Sequence, residues 1–378
     1  MRIHIIAIGG SIMHNLAIAL QNEGHEVTGS DDEIYSPAKE KLELYNLLPK
    51  VGGWNSDVIT KDIDTVIVGM HAKANNPELL RAEELKIPIY SFPEYLYQHA
   101  KDKKRIVIAG SHGKTTTTAM VMHILKENNI DFDYIVGSNI NGFDLSVRLS
   151  NAPIMIFEGD EYLSSPLDLR PKFIHYKPHV AVITGIAWDH INVFPTFEIY
   201  TQQFRNLIDV MEKNGKIFYF GKDDVLKEIV KNNQRQDIEF EPYEELKHQI
   251  INNVAYFSEE YGKRSAKIVG KHNFENMAAA MLICKDLGLE NEAIIQSLST
   301  FEGAGKRLQY LGEFSGIKVW KDFAHSPSKV KASCDAIHSI STNRKFIACL
   351  ELHTFSSLNH DFLPQYHNTL QKADIALV

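Results

Sequence analysis

The sequence predicts an α/β fold divided into three units, and three observations carry that prediction. The chain has 378 residues, which suits two or three domains. Three strand-to-helix openings divide it, beginning near Ile3, Arg105 and Lys318. Its 44% hydrophobic and 23% charged residues are the balance of an ordinary globular protein with a buried core.

The first opening is an apolar run at residues 3–8, then Gly9-Gly10-Ser11, then an apolar-periodic helix over residues 12–22. A short strand at 27–31 follows and ends in Asp31, which is the order of a βαβ nucleotide-binding unit. No cleavage-site pattern follows the apolar start, so it reads as a strand and not as a signal peptide. Residues 65–69 and 87–91 read as further strands, with a helix at 77–86 between them. The charged string Lys101-Asp102-Lys103-Lys104-Arg105 then breaks the pattern, giving a first unit of residues 1–101.

The second unit, 102–299, starts with a strand at 105–109, passes through a glycine loop and enters a helix running to about residue 128. Residues 154–157 and 180–184 are short apolar runs of the kind that form buried parallel strands. The stretch 218–261 is mixed and charged and gives no clear pattern. Residues 270–287 read as an Ala- and Met-rich helix with Gly288 as its C-cap. The third unit, 300–378, offers strands at 318–320, 345–350 and 374–378 and a helix at 328–337. It holds about half the residues of an ordinary domain, so a partial domain is expected.

Between the strand at 105–109 and its helix lies Gly110-Ser111-His112-Gly113-Lys114-Thr115-Thr116. The usual G-x-x-x-x-G-K-[ST] pattern fails here, because Ile108 stands where the first Gly belongs. The physics of a phosphate loop is nevertheless intact. Gly110 and Gly113 permit the backbone angles that turn N–H groups towards phosphate oxygens. Lys114 supplies a point charge to the β/γ-phosphates, the Thr115 hydroxyl can ligate Mg²⁺, and the helix adds its positive end. ATP is the expected ligand. Glu158-Gly159-Asp160-Glu161 follows the strand at 154–157, at the sheet edge where open α/β sheets bind ligands, and its carboxylate oxygens suit Mg²⁺. The same string also reads as a solvated acidic turn. Asp189-His190 recurs beyond the strand at 180–184. A lone His is more often structural, but two polar groups at neighbouring strand ends point to a shared metal site.

Charge and composition exclude several classes. A net charge of −8 disfavours nonspecific nucleic-acid binding. Cys284, Cys334 and Cys349 lack metal-ligand or redox spacing and suit a reducing compartment. No apolar run reaches the roughly 18–20 residues of a membrane span. A cytoplasmic location is expected; nothing in the sequence specifies an oligomeric state.

Taken together, these strings resemble the Mur ligases, ATP-dependent amide-forming enzymes of peptidoglycan assembly. The loop resembles that family's shortened phosphate loop, and Glu158-Gly159-Asp160-Glu161 its E-A-D-E motif, whose first Glu binds magnesium. Asp189-His190 matches a D-H motif whose His is a second metal ligand. Gly270-Lys271-His272-Asn273-Phe274-Glu275-Asn276 resembles G-x-H-N-x-x-N, where the first Asn recognises adenine, and the match brings Asn276 into the ATP site. Arg307 stands where the family has an Arg on the γ-phosphate, and Asp322 where an Asp holds the ribose. Asp322-Phe323-Ala324-His325-Ser326-Pro327 resembles D-F-A-H-H-P, with Ser326 replacing the second His, Lys321 replacing a preceding Asp, and His325 aligned with a substrate contact. Tyr200-Thr201-Gln202-Gln203-Phe204-Arg205 lacks the lysine that several members carry carbamylated.

The resemblance implies a Rossmann-like UDP-sugar domain, a central P-loop-type ATPase domain and a Rossmann-like C-terminal domain. It implies catalytic roles for Lys114, Glu158, His190 and Arg307, and Mg²⁺ on Thr115, Glu158 and His190. The UDP diphosphate would meet N–H groups near Gly10, Ser11, Ile12 and Met13. Asp31, His71 and Asn76 would add ribose or uridine contacts, although an ordinary loop cap explains each equally well. The expected partners are UDP-N-acetylmuramate and a wall-derived peptide. Arg170-Pro171-Lys172-Phe173-Ile174-His175-Tyr176-Lys177-Pro178 resembles the R-x-K-F-x-H-Y-x-P of the branch that adds a preformed tripeptide. The alternatives are the branch that adds L-alanine and a nucleotide-binding regulatory module without catalysis.

Overall fold

The computed structural model describes residues 1–188, 192–305, 307–341 and 344–378. In the first unit four strands, β1 (Arg2–Ile6), β2 (Glu26–Ser30), β3 (Thr65–Val68) and β4 (Ile89–Ser91), form a parallel sheet in the order β2-β1-β3-β4. Helices α1 (Met13–Asn22), α2 (Ala38–Leu44), α3 (Pro77–Glu84) and α4 (Phe92–Ala100) connect and flank them. The β-branched runs of β1 and β3 are buried, as expected of strands covered on both faces. Local chemistry sets the helix starts. Asn76 accepts the N–H groups of Glu78 and Leu79, and Ser91 with Glu94 forms a capping box at α4.

The central unit holds β5 (Lys104–Ala109), α5 (Lys114–Glu127), β6 (Asp133–Ile135), β7 (Val147–Arg148), β8 (Ile154–Glu158), α6 (Lys172–His175), β9 (Val180–Ile183), α7 (Phe197–Asp209), β10 (Lys216–Phe220), α8 (Asp224–Lys231) and β11 (Glu239–Tyr243). Its seven strands run β11-β10-β9-β5-β8-β6-β7, parallel except for β7. A small antiparallel sheet, β12 (His248–Ile251), β13 (Val254–Phe257) and β14 (Ser265–Ala266), precedes α9 (Lys271–Asp286) and α10 (Asn291–Thr300). Much of the uninterpretable stretch 218–261 is thus α8, β11 and the first two strands of the small sheet. Its strands are partly exposed and carry no clean apolar alternation.

The charged string at 101–105 ends in a residue that belongs to the core. Arg105 is 1% exposed on β5, and its guanidinium donates to the carbonyls of Ala100 and Lys101 at the end of α4 and to the Glu212 carboxylate. It therefore satisfies the open carbonyls of a helix C-terminus across the unit boundary. One apolar cluster continues from Ile3, Leu16 and Leu96 into Val107, Phe157 and Phe204, joining the first two units through a shared core. On the other face of the central sheet α5 is buried beneath α9 and α10.

The third unit begins with a strand the sequence did not suggest, β15 (Gln309–Phe314), paired antiparallel with β16 (Ile317–Lys321). Then come α11 (Pro327–Ser339), β17 (Ile347–Cys349) and β18 (Ile375–Leu377), the last two parallel. Its buried cluster is small, centred on Val330, Cys334 and Ala348. Among the described residues no helix is long and apolar enough to cross a membrane.

Candidate active site

Strand order fixes where the site lies. β5 has β8 on one side and β9 on the other, and the connections that leave the adjacent strands β5 and β9 run to opposite sides of the sheet. The C-terminal ends of these strands deliver the glycine loop, Glu158 and Thr184 to one crevice. The loop admits no side chain at its glycines. Gly110 has φ 125° and a Cβ there would lie 2.2 Å from Thr184 Oγ1; Gly113 has φ 78° and a Cβ would lie 2.3 Å from Asn276 Oδ1. Both observations fit a backbone cradle for phosphate.

Lys114 opens α5. Its ammonium donates to the Gly110 carbonyl at 2.6 Å and to Glu161 Oε2 at 2.7 Å. Burial opposes the charge on Lys114, but Glu161 and Asp160 overcome it and raise its pKa. Glu161 is fully buried and accepts the Tyr200 hydroxyl at 3.1 Å. That hydroxyl also bonds Ser111 Oγ at 2.7 Å, and Ser111 Oγ accepts the Ala187 N–H. Sequence reasoning gave Glu161 and Tyr200 no role. The signal for Glu161 was its place in the same acidic string, one turn beyond Glu158.

The two described metal-ligand candidates meet. Thr115 Oγ1 donates to Glu158 Oε1 at 2.7 Å, and the Gly137 N–H orients Glu158 Oε2 at 2.8 Å. A hydroxyl and an oriented carboxylate are the hard oxygen donors that suit Mg²⁺. Asp160 turns the other way and binds Lys172 Nζ at 2.5 Å. Burial pushes its carboxyl up, but Lys172 and Lys114 outweigh that and hold it at about 2. Asp189 and His190 lie outside the described residues.

A cleft of about 160 Å³ runs from this loop to the third unit. Ser111, His112, Gly113, Lys114, Thr115, Thr116 and Glu158 line its central side. Asn273 and Asn276 enter from α9, and Arg307 and Asp322 close the far side. The Asn273 amide donates to the Val269 carbonyl, and Asn276 Oδ1 accepts the Thr117 hydroxyl, so Asn276 also braces the loop from behind. Arg307 lies 5.2 Å from the centre of the Phe323 ring, and Asp322 accepts the Phe323 N–H and the Ser333 hydroxyl. Half-buried His112 has its pKa driven down to about 4 by desolvation and then by Lys329, Lys114 and His272, and its Nδ1, itself out of solvent, has no partner among the described residues. His272, Glu275, Lys329 and Ser333 also line the cleft and were not anticipated. His325 is absent from that lining; its ring bonds the Phe323 carbonyl and packs beside Phe323 and His353.

The residues expected to hold the UDP-sugar gather elsewhere, in the first unit. Asp31 is buried at the end of β2, accepts the Gly9 N–H at 2.7 Å, and lies 3.9 Å from His71 Nδ1. Burial raises its carboxyl to about 6. Gly10, Ser11, Ile12 and Met13 form the turn into α1, whose first carbonyls bond the His14 and Asn15 side chains. Asn76 serves as the cap of α3 already described, so a loop cap accounts for it.

Comparison with known proteins bears on the whole chain. Residues 2–104 match the family model described as "Mur ligase family, catalytic domain", and residues 108–284 match "Mur ligase middle domain". A UDP-N-acetylmuramate–L-alanine ligase from Carboxydothermus hydrogenoformans is 30% identical over 98% of this chain and 80% of its own length. A UDP-N-acetylmuramate–L-alanyl-γ-D-glutamyl-meso-2,6-diaminoheptandioate ligase from Escherichia coli is 29% identical over 93% of this chain and 79% of its own. Among solved structures, the corresponding tripeptide ligase from Neisseria meningitides superimposes with a TM-score of 0.69 at 25% identity, covering 79% of this chain and 98% of that one.

Proposed function

This chain belongs to the Mur ligase family of ATP-dependent carbon–nitrogen ligases, and from that premise we propose that it recycles wall peptide. The reaction would join the lactyl carboxylate of UDP-N-acetylmuramate to the α-amine of L-Ala-γ-D-Glu-meso-diaminopimelate. The observation that carries the reading is the cleft in which the shortened loop, Glu158, Asn273, Asn276, Arg307 and Asp322 converge. The peptide choice is supported by the string from Arg170 to Pro178, whose Lys172 anchors Asp160 of the acidic turn, and by relatives named as tripeptide ligases. In this reading residues 1–101 take the UDP-sugar, 102–299 the ATP, and 300–378 form the third unit that faces the cleft.

A carboxylate is a poor acyl donor, since oxide is a poor leaving group. ATP would supply the phosphoryl group that turns it into an acyl phosphate, and Mg²⁺, which Thr115 and Glu158 would hold, would supply charge to offset the phosphates. Lys114 would exchange its bond to the Gly110 carbonyl for a phosphate oxygen while Glu161 keeps the ammonium protonated. Loop N–H groups and the start of α5 hold the polyphosphate in place. Arg307 would add a charge-assisted contact from the third unit that helps bind ATP. The amine then attacks the acyl carbon, phosphate departs, and the amide remains. Holding both substrates on neighbouring units makes that attack effectively unimolecular. His190 would complete the metal site.

The 30%-identical L-alanine ligase supports a second reading, with L-alanine as the amine. ADP release with UDP-N-acetylmuramate and either amine separates the two. Turnover with the tripeptide and none with L-alanine is expected. The reverse would favour the second reading, and silence with both amines despite ATP binding would favour a non-catalytic module.

A further inference from the structure

The cleft carries more positive charge than the loop and Arg307 provide. We propose that Lys329, in the first turn of α11, is a further cationic contact for the polyphosphate of ATP and couples the third unit to the phosphate loop. The inference rests on the ATP reading of the cleft.

Lys329 lines the same cleft as Lys114 and Arg307, on the opposite wall from the loop. It is also close enough to His112 to rank as the largest electrostatic influence on that imidazole after burial. Among the described lining residues, the cations Lys114, Arg307 and Lys329 face the carboxylates Glu158, Glu275 and Asp322. Without Lys329 the lining would present a net negative field to an incoming polyanion, which the site must hold.

Two features near Lys329 point the same way. Ser326, at the N-cap of the 13-residue α11, makes no side-chain cap, and Pro327 occupies the first turn. The first-turn N–H groups and the positive end of that helix therefore stand beside Lys329 without a capping side chain. Across the cleft, the solvent-shielded Nδ1 of His112 has no partner among the described residues. Desolvation keeps that imidazole neutral near pH 7, so it offers a hydrogen bond there and no charge. The ammonium of Lys329 fills the missing electrostatic part.

The test compares the full chain with Lys329→Ala, Lys329→Gln and, as a control, Lys331→Ala, measuring Kd for ATP and AMP by calorimetry at two salt concentrations. Lys331 sits on the same helix, paired to Asp335. Both Lys329 variants should weaken ATP by about 10-fold or more, as expected for a lost charge-assisted contact, weaken AMP much less, and flatten the salt dependence. Lys331→Ala, which removes the same charge from the same helix, should bind ATP as wild type does. The proposal is overturned if the Lys329 variants bind ATP like wild type, if Lys331→Ala loses as much, or if ATP and AMP are weakened equally. Failure of the wild-type chain to bind ATP at all would overturn the ATP reading together with this proposal.

Discussion

The wall that the central unit gives to the cleft and the wall that the third unit gives to it differ in how their side chains are held. On the central side Lys114, Glu161, Tyr200 and Ser111 form a connected buried network, and Thr115 is bonded to an oriented Glu158. On the far side Arg307 leans on Phe323, itself 46% exposed, and the unit behind it has only a small buried cluster. The first wall is preorganised by burial and hydrogen bonds; the second is a surface that can move with little loss of packing. Preorganised groups suit charge that develops in a transition state, whereas adjustable ones suit recognition and closure. The central wall should therefore govern kcat and the far wall KM.

The largest effect falls on the preorganised wall. Lys114→Ala should lower kcat about 1000-fold with the fold intact, read as ADP release alongside circular dichroism. Gly113→Ala comes next, at about 100-fold in kcat/KM, because its Cβ would meet Asn276 Oδ1 at 2.3 Å from a left-handed backbone. A variant with normal turnover would show that the loop does not need this geometry. Arg307→Ala should raise KM for ATP about 10-fold and leave kcat and Tm nearly unchanged. A fall in kcat as large as that of Lys114→Ala would erase the distinction between the walls.

The smallest effect concerns acid stability. The Asp160 carboxyl is held at about 2, below its ordinary value of 3.8, so its contribution to stability is complete above about pH 4 and is lost as pH falls towards 2. Asp160→Asn should flatten the unfolding free energy across that window. The change should be no more than about 1 kcal/mol, given solvent screening of a carboxylate that is 37% exposed. An unchanged acid-unfolding curve would mean that the Lys172 pair contributes nothing.

What was legible in the sequence follows the same division. Gly110, Gly113, Lys114 and Glu158 could be read because strand, turn and helix dictate them locally, and the parallel strands could be read because burial on both faces leaves continuous apolar runs. β15 escaped because its residues are nearly all exposed, so no apolar pattern marks it. Strands β12 and β13 of the small sheet escaped for a related reason, being short, with β12 mostly exposed. Arg105 read as the end of a charged boundary string and the start of a strand, and its side chain proved to be a buried cap, a role that depends on a helix end brought to it by the fold. Lys329 carried no signature at all, since a lysine in the first turn of a helix is ordinary until the tertiary fold turns it towards a phosphate loop. Asn76 could be read two ways, and the structure uses it as a cap.

The central claim is that ATP here activates a carboxylate. The most direct measurement uses UDP-N-acetylmuramate labelled with ¹⁸O in the lactyl carboxylate, with ATP, Mg²⁺ and the tripeptide, followed by mass analysis of the released phosphate. One labelled oxygen should appear in phosphate for each amide formed. Unlabelled phosphate accompanying amide formation, or ADP release that is independent of the sugar carboxylate, would contradict that claim.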